Sequence, residues 1–230
     1  MRSVAGARAV RGTPPRWRCP VGRVASGEDA FRPAQRLRFR VFAREMGACL
    51  TPPLGTEPGL DVDGFDPFCD HLLVKSVGAE GLEDAPVVGT YRLLAPDAAR
   101  RAGGLYIDTE FDLSPLSALR PQAVELGRSC VDPDWRSGGV IMALWAALCR
   151  YMRQRRLDTM IGCASVALDD GGRSAQKLWH SLRHTHLVAA PWQVQPHTAF
   201  PLGHGDTVPR ACAAPYPAPH MPPLIQGSLR

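Results

Sequence analysis

The run "VELGRSCVDPDWRSGGVIMALWAALCRYM", residues 124–152, limits the folds open to this chain more than any other stretch. Its first half has the composition of a strand. It breaks at Asp132-Pro133-Asp134, passes Arg136-Ser137-Gly138-Gly139, and enters a segment in which Ile141, Leu144, Trp145, Leu148 and Met152 recur at the spacing of one helix face. The spacing predicts a helix over about 138–156 packed on a sheet that contains 124–131, with Ser137 as its N-cap. Arg150 and Arg153 point away from that face, toward solvent or a partner. Glycine costs a helix interior about 1 kcal/mol relative to alanine. Two at the first turn therefore mean either a tight turn or bare backbone N–H groups, which together with Arg136 suit a phosphate.

The rest of the chain supplies the remaining layers. Leu37, Val41, Phe42 and Met46 predict a helix over about 29–46. A Pro/Gly-rich connection and the acidic turn "LDVDGFDPFCD" follow, then the strand-like runs "HLLVKSV", "VVGTYRLL" and "AVELGRSCV". Between the last two, "LYIDTEFDLS" reads as an edge strand or a helix start. Beyond the long helix come the strand "TMIGCASV", a helix around "RSAQKLWHSLRH" and a strand-like "HLVAAPWQV". This order predicts an α/β (α+β) domain, a mixed central sheet with helices on both faces. Its expected limits are 29–196, between a flexible basic tail over 1–28 and a proline-rich, incomplete segment over 197–230.

Composition narrows the partners. With 45% hydrophobic and 21% charged residues among 230, the chain is globular rather than disordered. The net charge of +5 is almost all arginine, since lysine occurs only at Lys75 and Lys177. That favours an anionic partner, unless it is coding bias alone. Seven cysteines without CxxC spacing argue against a disulfide framework or a zinc site and for a reducing, cytoplasmic setting. No apolar run reaches the roughly 20 residues of a membrane span, so membrane contact is expected to be peripheral. No hydrophobic core of a secretory signal precedes Glu28, and no recognition helix or stacking platform for nucleic acid is visible.

Three groups of residues can carry chemistry. Glu125 faces the side of its strand opposite Val124 and Leu126, next to Gly127, where a carboxylate can accept a proton from an attacking amine or pair with Arg92 or Arg128. Asp61, Asp63 and Asp66 concentrate negative charge around a Gly-Phe turn, as an ammonium site or a solvated loop. A calcium loop is excluded because its twelfth position is Leu72, and no other metal site is expected. The scattered histidines form no Ser/His/Asp pattern, and Cys130 and Cys163 read as small core residues.

Taken in order, "LRFRVF" with Arg38 and Phe42, "DVDGFD" with Asp63 and Asp66, "GTYRLL" with Arg92, and "ELGRSCVDPDWR" with Glu125 and Arg128 resemble the acyl-homoserine-lactone synthases and the ornithine lipid acyltransferases, both GNAT-like. "IGCASV", "DGGRSAQKLW" and "MPPLIQGSLR" are similar to the second branch, the L-ornithine N-alpha-acyltransferases, over about 29–230. The resemblance implies transfer of a 3-hydroxyacyl chain from acyl carrier protein to the alpha-amino group of ornithine, giving lyso-ornithine lipid. It implies no cofactor beyond the phosphopantetheine thioester of the donor, whose phosphate Arg136, Ser137, Gly138 and Gly139 would cradle. By the same resemblance Glu125 is the base, or positions a water or the ammonium. Asp63 and Asp66 shape the substrate pocket with Arg38, Phe42, Arg92 and Arg128, and Arg38 and Arg92 pair with the two aspartates. The enzyme is expected in the cytoplasm, with peripheral contact at the inner membrane and no nucleic-acid partner. Two departures stand out. The phosphate motif ends in Ile141 instead of Gly or Ala, against acetyl-coenzyme A, and the family continues beyond "PPLIQGSLR". The alternatives are an acyl-homoserine-lactone synthase using S-adenosylmethionine and a truncated, inactive binding protein.

Overall fold

A computed structural model describes residues 21–25, 28–76, 85–136, 138–166, 168 and 170–199. In chain order the elements are β1 (Val21–Ala25), α1 (Glu28–Arg38) with a π-helical continuation (Phe39–Glu45), β2 (Asp70–Lys75), β3 (Val87–Leu94), α2 (Pro96–Ala102), β4 (Phe111–Asp112), β5 (Ala123–Val131), α3 (Gly139–Arg155), β6 (Thr159–Gly162), α4 (Arg173–Thr185) and β7 (Gln195–Pro196). The main sheet has the order β1-β2-β3-β5-β6. All its pairs are antiparallel except β5 and β6, and β4 and β7 form a separate ladder. This is the mixed sheet expected from the sequence.

A helix covers each face. On one side Leu72, Val74, Tyr91, Leu93 and Val124 meet Val140, Leu144, Ala147, Leu148 and Tyr151 of α3. The buried stripe is turned slightly from the expected one. Val140, Ala147 and Tyr151 form its centre while Trp145 and Met152 pack at its margin. Tyr151 is accepted there because its hydroxyl donates to Asp70 at 2.7 Å. On the other side Ala34, Leu37 and Val41 cover Leu73, Val87 and Cys130. A third cluster of Leu94, Ala98, Ala99, Leu105, Ile107 and Leu113 seats α2 and the turn after it at one end of the sheet.

β5 carries an irregularity that shapes the site. Thr90 pairs with Cys130 and Arg92 with Gly127, so Arg128 and Ser129 together oppose Tyr91. This is a β-bulge, and Arg128 sits in the left-handed region at φ 50°. The extra residue inverts the in/out alternation. Val124 and Leu126 face α3 before the bulge and Val131 after it, while Cys130 joins the α1 side.

Several expectations change. Residues 21–25 pair with β2, a strand the sequence reading did not place inside the stretch taken as tail. The first helix has the expected extent, but its last seven residues are π-helical, with Met46 N–H bonded to the Val41 carbonyl at 3.0 Å. "LYIDTEFDLS" becomes a 3-10 turn (Tyr106–Thr109) and the two-residue β4. "HLVAAPWQV" is irregular apart from a 3-10 turn (Ala190–Trp192), where Pro191 has no N–H to offer a ladder, and the two-residue β7 comes only after it. "TMIGCASV" is strand only through Gly162. Ser137, residues 1–20, 26–27 and 200–230 lie outside the described residues.

Gly89 marks a close approach of α3 to the sheet, since a Cβ there would clash with Val140 Cγ1. Gly89→Ala is expected to cost about 1–3 kcal/mol, read as a lower denaturant midpoint at unchanged slope. An unmoved midpoint would mean that the layers do not touch at this position.

Candidate active site

The acidic turn before β2 is held by arginines from two layers. Arg38, the last residue of α1, donates from Nε to Asp61 Oδ2 at 2.9 Å, and from Nη1 and Nη2 to Asp66 at 3.1 and 2.6 Å. Its Nη2 also bonds the Asp61 carbonyl. From β3, Arg92 Nη1 reaches both oxygens of Asp63 at 2.6 Å and Asp66 Oδ1 at 2.9 Å. Arg128, at the bulge, adds a bond to Asp63 at 3.3 Å and lies over the Phe42 ring. Gln35 donates to Asp66 at 3.1 Å. Three carboxylates and three guanidiniums therefore balance in one network. Arg38, Asp61 and Asp66 are closed from solvent, whereas the Arg128 and Asp63 side chains are 30% and 19% exposed.

Gly127 lies against this network: a Cβ there would touch the Arg92 guanidinium at ordinary van der Waals distance, 3.8 Å from Nη2. The space beside Glu125 on this face of β5 is thus taken up by the protein's own arginine. Burial works against ionisation of Asp66, but Arg38 and Arg92 overcome it and hold the carboxyl at about 2. Asp63 is likewise held below its usual range, by Arg92 against burial.

Glu125 lies on the same face, opposite Leu94, and is 5% exposed. Its oxygens accept the backbone N–H groups of Tyr106 and Ile107 at 2.8 and 2.7 Å, anchoring the start of the 3-10 turn. Asp108 fastens the same turn by accepting from Leu105 N–H at 2.8 Å and from Arg120 Nη1 at 2.8 Å. Burial raises the Glu125 carboxyl above its ordinary value, while the two amides and Arg92 oppose the shift. The Tyr106 ring stands edge-on to Phe65 of the acidic turn, 6.0 Å between centroids. The turn over Glu125 and the aspartate network thus share one wall.

The third part is an opening in the sheet. β6 pairs with β5 only from Ala123–Thr159 to Leu126–Gly162, while β5 runs on to Val131 against β3. Beyond Gly162 the other edge of β5 has no strand partner among the described residues. α3 begins at Gly139 after Gly138, which has φ 99° and, as the N-cap residue, has no side chain to cap the helix. A Cβ at either glycine would meet nothing within 4 Å, so neither is demanded by packing, and Gly138 is demanded by backbone conformation alone. Arg136 is tethered to Glu45 of the π-helix at 2.6 and 2.7 Å, and Arg40 to Asp132 at 3.0 Å. Arg150 and Arg153 are exposed on the last turns of α3, roughly 15–20 Å from its start at 1.5 Å per residue.

Gln35, Asp61 as an arginine partner, and His71 were not singled out from the sequence. Gln35 lies three residues before Arg38 on the buried face of α1, a periodicity signal that was available. His71, paired opposite Arg92 on β2, is fully buried and stacked on Phe31 at 4.8 Å, and nothing in its local sequence marks it. Burial pushes its imidazole down to about 4, opposed by Asp66 and assisted by Arg38 and Arg92. Below about pH 6.5 the unfolded chain binds a proton that the fold refuses until about pH 4. Stability is therefore expected to fall as pH drops through that window, by about 3 kcal/mol in full. Asp66 adds a loss from about pH 4 down toward about 2. Denaturant titrations against pH should show both, and His71→Phe should flatten the upper one. An undiminished slope in that variant would assign it to other groups.

Residues 37–146 match the acetyltransferase (GNAT) domain family, and that span holds the aspartate turn, its arginines, Glu125 and the Gly138-Gly139 turn. The chain is 38% identical over 214 residues to the L-ornithine N(alpha)-acyltransferase of Brucella abortus, covering 90% of this chain and 74% of that protein. It is 34% identical over 213 residues to the same enzyme of Rhizobium meliloti, covering 90% and 70%. Among solved structures it is similar to the CoA-dependent acyl-homoserine lactone synthase BjaI, at 22% identity and a TM-score of 0.46, over 68% of this chain and 72% of that one. With its GNAT domain and this extent of identity, the chain is an acyltransferase and belongs to the L-ornithine N-alpha-acyltransferase family.

Proposed function

We propose that this enzyme transfers a 3-hydroxyacyl group from the phosphopantetheine thioester of an acyl carrier protein to the α-amino group of L-ornithine, giving lyso-ornithine lipid. The names of the relatives support the acceptor. The observation that carries the donor reading is the opening between β5 and β6, which leads from the glycine start of α3 along the strand that bears Glu125.

In this reading the donor's phosphate is taken by the first amides of α3, close to the backbone because Gly139 has no side chain. Arg136 turns from Glu45 to add charge. The pantetheine arm runs as an extra strand along the edge of β5 that no described strand covers, satisfying its backbone groups. Arg128 and Asp63, the partly exposed end of the ion network, receive the carboxylate and side-chain ammonium of ornithine. Each oxygen of Glu125 already accepts one amide, which leaves acceptor capacity for a further donor. Glu125 takes a proton from the α-ammonium, and its raised affinity for protons suits that role. The freed amine attacks the thioester carbon, a C–N bond forms, the C–S bond breaks, and the thiolate leaves with a proton. Placing both substrates in one opening makes the attack effectively intramolecular.

Incubation of the chain with 3-hydroxyacyl carrier protein and ornithine should give N-acylornithine by mass spectrometry, and no product from a folded chain would leave only a binding role. Glu125→Gln should lower kcat by about 10²–10⁴, and wild-type turnover in that folded variant would remove Glu125 from the chemistry. Arg136→Ala should raise KM for the carrier protein several-fold with little change in kcat, and an unchanged KM would place the phosphate elsewhere.

A further inference from the structure

α4 and the loop that follows it take no part in the site described. Between Gly171 and Ala199 the chain has no Asp or Glu, but carries Arg173, Lys177 and Arg183 with four histidines. At roughly 100° per residue, Ala175, Leu178 and Leu182 share one side of α4, and these are its half-buried apolar positions. Arg173, Lys177, His180, Arg183 and His184 occupy the opposite side and are exposed. Trp179 falls on the border between the two and is 46% exposed. Past the helix, Leu187, Val188 and Trp192 are 49%, 53% and 43% exposed. Their backbone is fixed, since Gln193 bonds the Val188 carbonyl at 2.8 Å and His197 N–H bonds the Glu110 carbonyl at 2.9 Å.

We infer that α4 and residues 187–192 form a docking surface for an anionic lipid bilayer. A polar side whose charged residues are all cations, a tryptophan at its margin, and exposed aliphatic and indole groups in the loop just past it are what docking at a bilayer interface needs. Charge complementarity picks the occupant. An acidic protein would match the arginines and lysine, but gains less from four large apolar side chains held in water, whereas a leaflet of acidic headgroups over acyl chains satisfies both. The inference rests on the proposed function in one respect: an N-acylated product has an acyl chain to deliver, and α4 follows directly on the strand that borders the opening.

The test is co-sedimentation of the full chain with vesicles of phosphatidylglycerol and phosphatidylcholine, against phosphatidylcholine alone, at two salt concentrations. Binding should require the anionic lipid and weaken as salt rises. Lys177→Gln combined with Arg183→Gln should reduce it about tenfold or more, and Trp179→Ser should reduce it separately at an unchanged melting temperature. Equal binding to both vesicle types, no binding to either, or full binding by the double variant overturns the inference. So does sedimentation velocity in which Trp179→Ser abolishes a dimer but not vesicle binding. So does a double variant that loses carrier-protein binding while keeping its hold on vesicles. N-acylornithine formation measured without vesicles is an independent readout. Vesicle binding without product sustains the surface and sinks the substrate reading, and product without vesicle binding does the reverse.

Discussion

The buried pairing of Arg38 and Arg92 with Asp66 is the constraint on which the rest of the structure depends. It ties α1 to the sheet through a turn that belongs to neither. Each carboxylate oxygen of Asp66 receives charged donors, and removing one partner from such a network leaves a charge stranded in the interior, a penalty of about 3–5 kcal/mol. Lysine cannot stand in for either arginine, because a single ammonium cannot span two carboxylates in the planar, forked geometry that Arg38 uses. The composition follows this logic. With lysine only at Lys75 and Lys177, nearly every cation available to the fold is a guanidinium.

The network also divides labour within the site. Its deep members are spoken for by one another, so they set geometry and leave recognition to the shallow members, Asp63 and Arg128. Glu125 stands apart, hydrogen-bonded to amides rather than to guanidiniums, which keeps its carboxyl easier to protonate than Asp66. Two kinds of carboxylate on one face arise from burial with and without a directly bonded guanidinium.

Much of this was legible in the sequence. β3 and β5 fall where their alternation of apolar residues places them, α3 where its glycines and periodicity do, and the family resemblance rested on residues that the fold gathers together. Arg38 and Arg92 were also matched to Asp63 and Asp66, although the sequence could not divide the partners: Arg38 holds Asp61 and Asp66, and Arg92 holds Asp63 and Asp66. What was hidden has physical causes. A π-helix differs from an α-helix in hydrogen-bond partner, not in side-chain pattern. β4 and β7 are two residues each, too short for any periodicity. The neighbour of Gly127 is a side chain 35 positions away in sequence, and the amides bonded to Glu125 come from a turn whose position only tertiary packing decides.

The bulge at Arg128 and Ser129 has one more implication, best put as parity. Because a strand alternates strictly, a residue's face is decided by whether its count from a fixed point is odd or even. The inserted residue makes the two ends of β5 keep different counts. Glu125 belongs to one convention and the approach to Gly138 to the other. Losing a single residue between them would leave Glu125 and Arg92 in place yet present Cys130 and Val131 to the wrong layers, carrying the start of α3 with them. Proton acceptor and phosphate-binding turn are thus phased by one irregular position, so evolution can vary the residues on either side of the bulge more freely than it can vary their number.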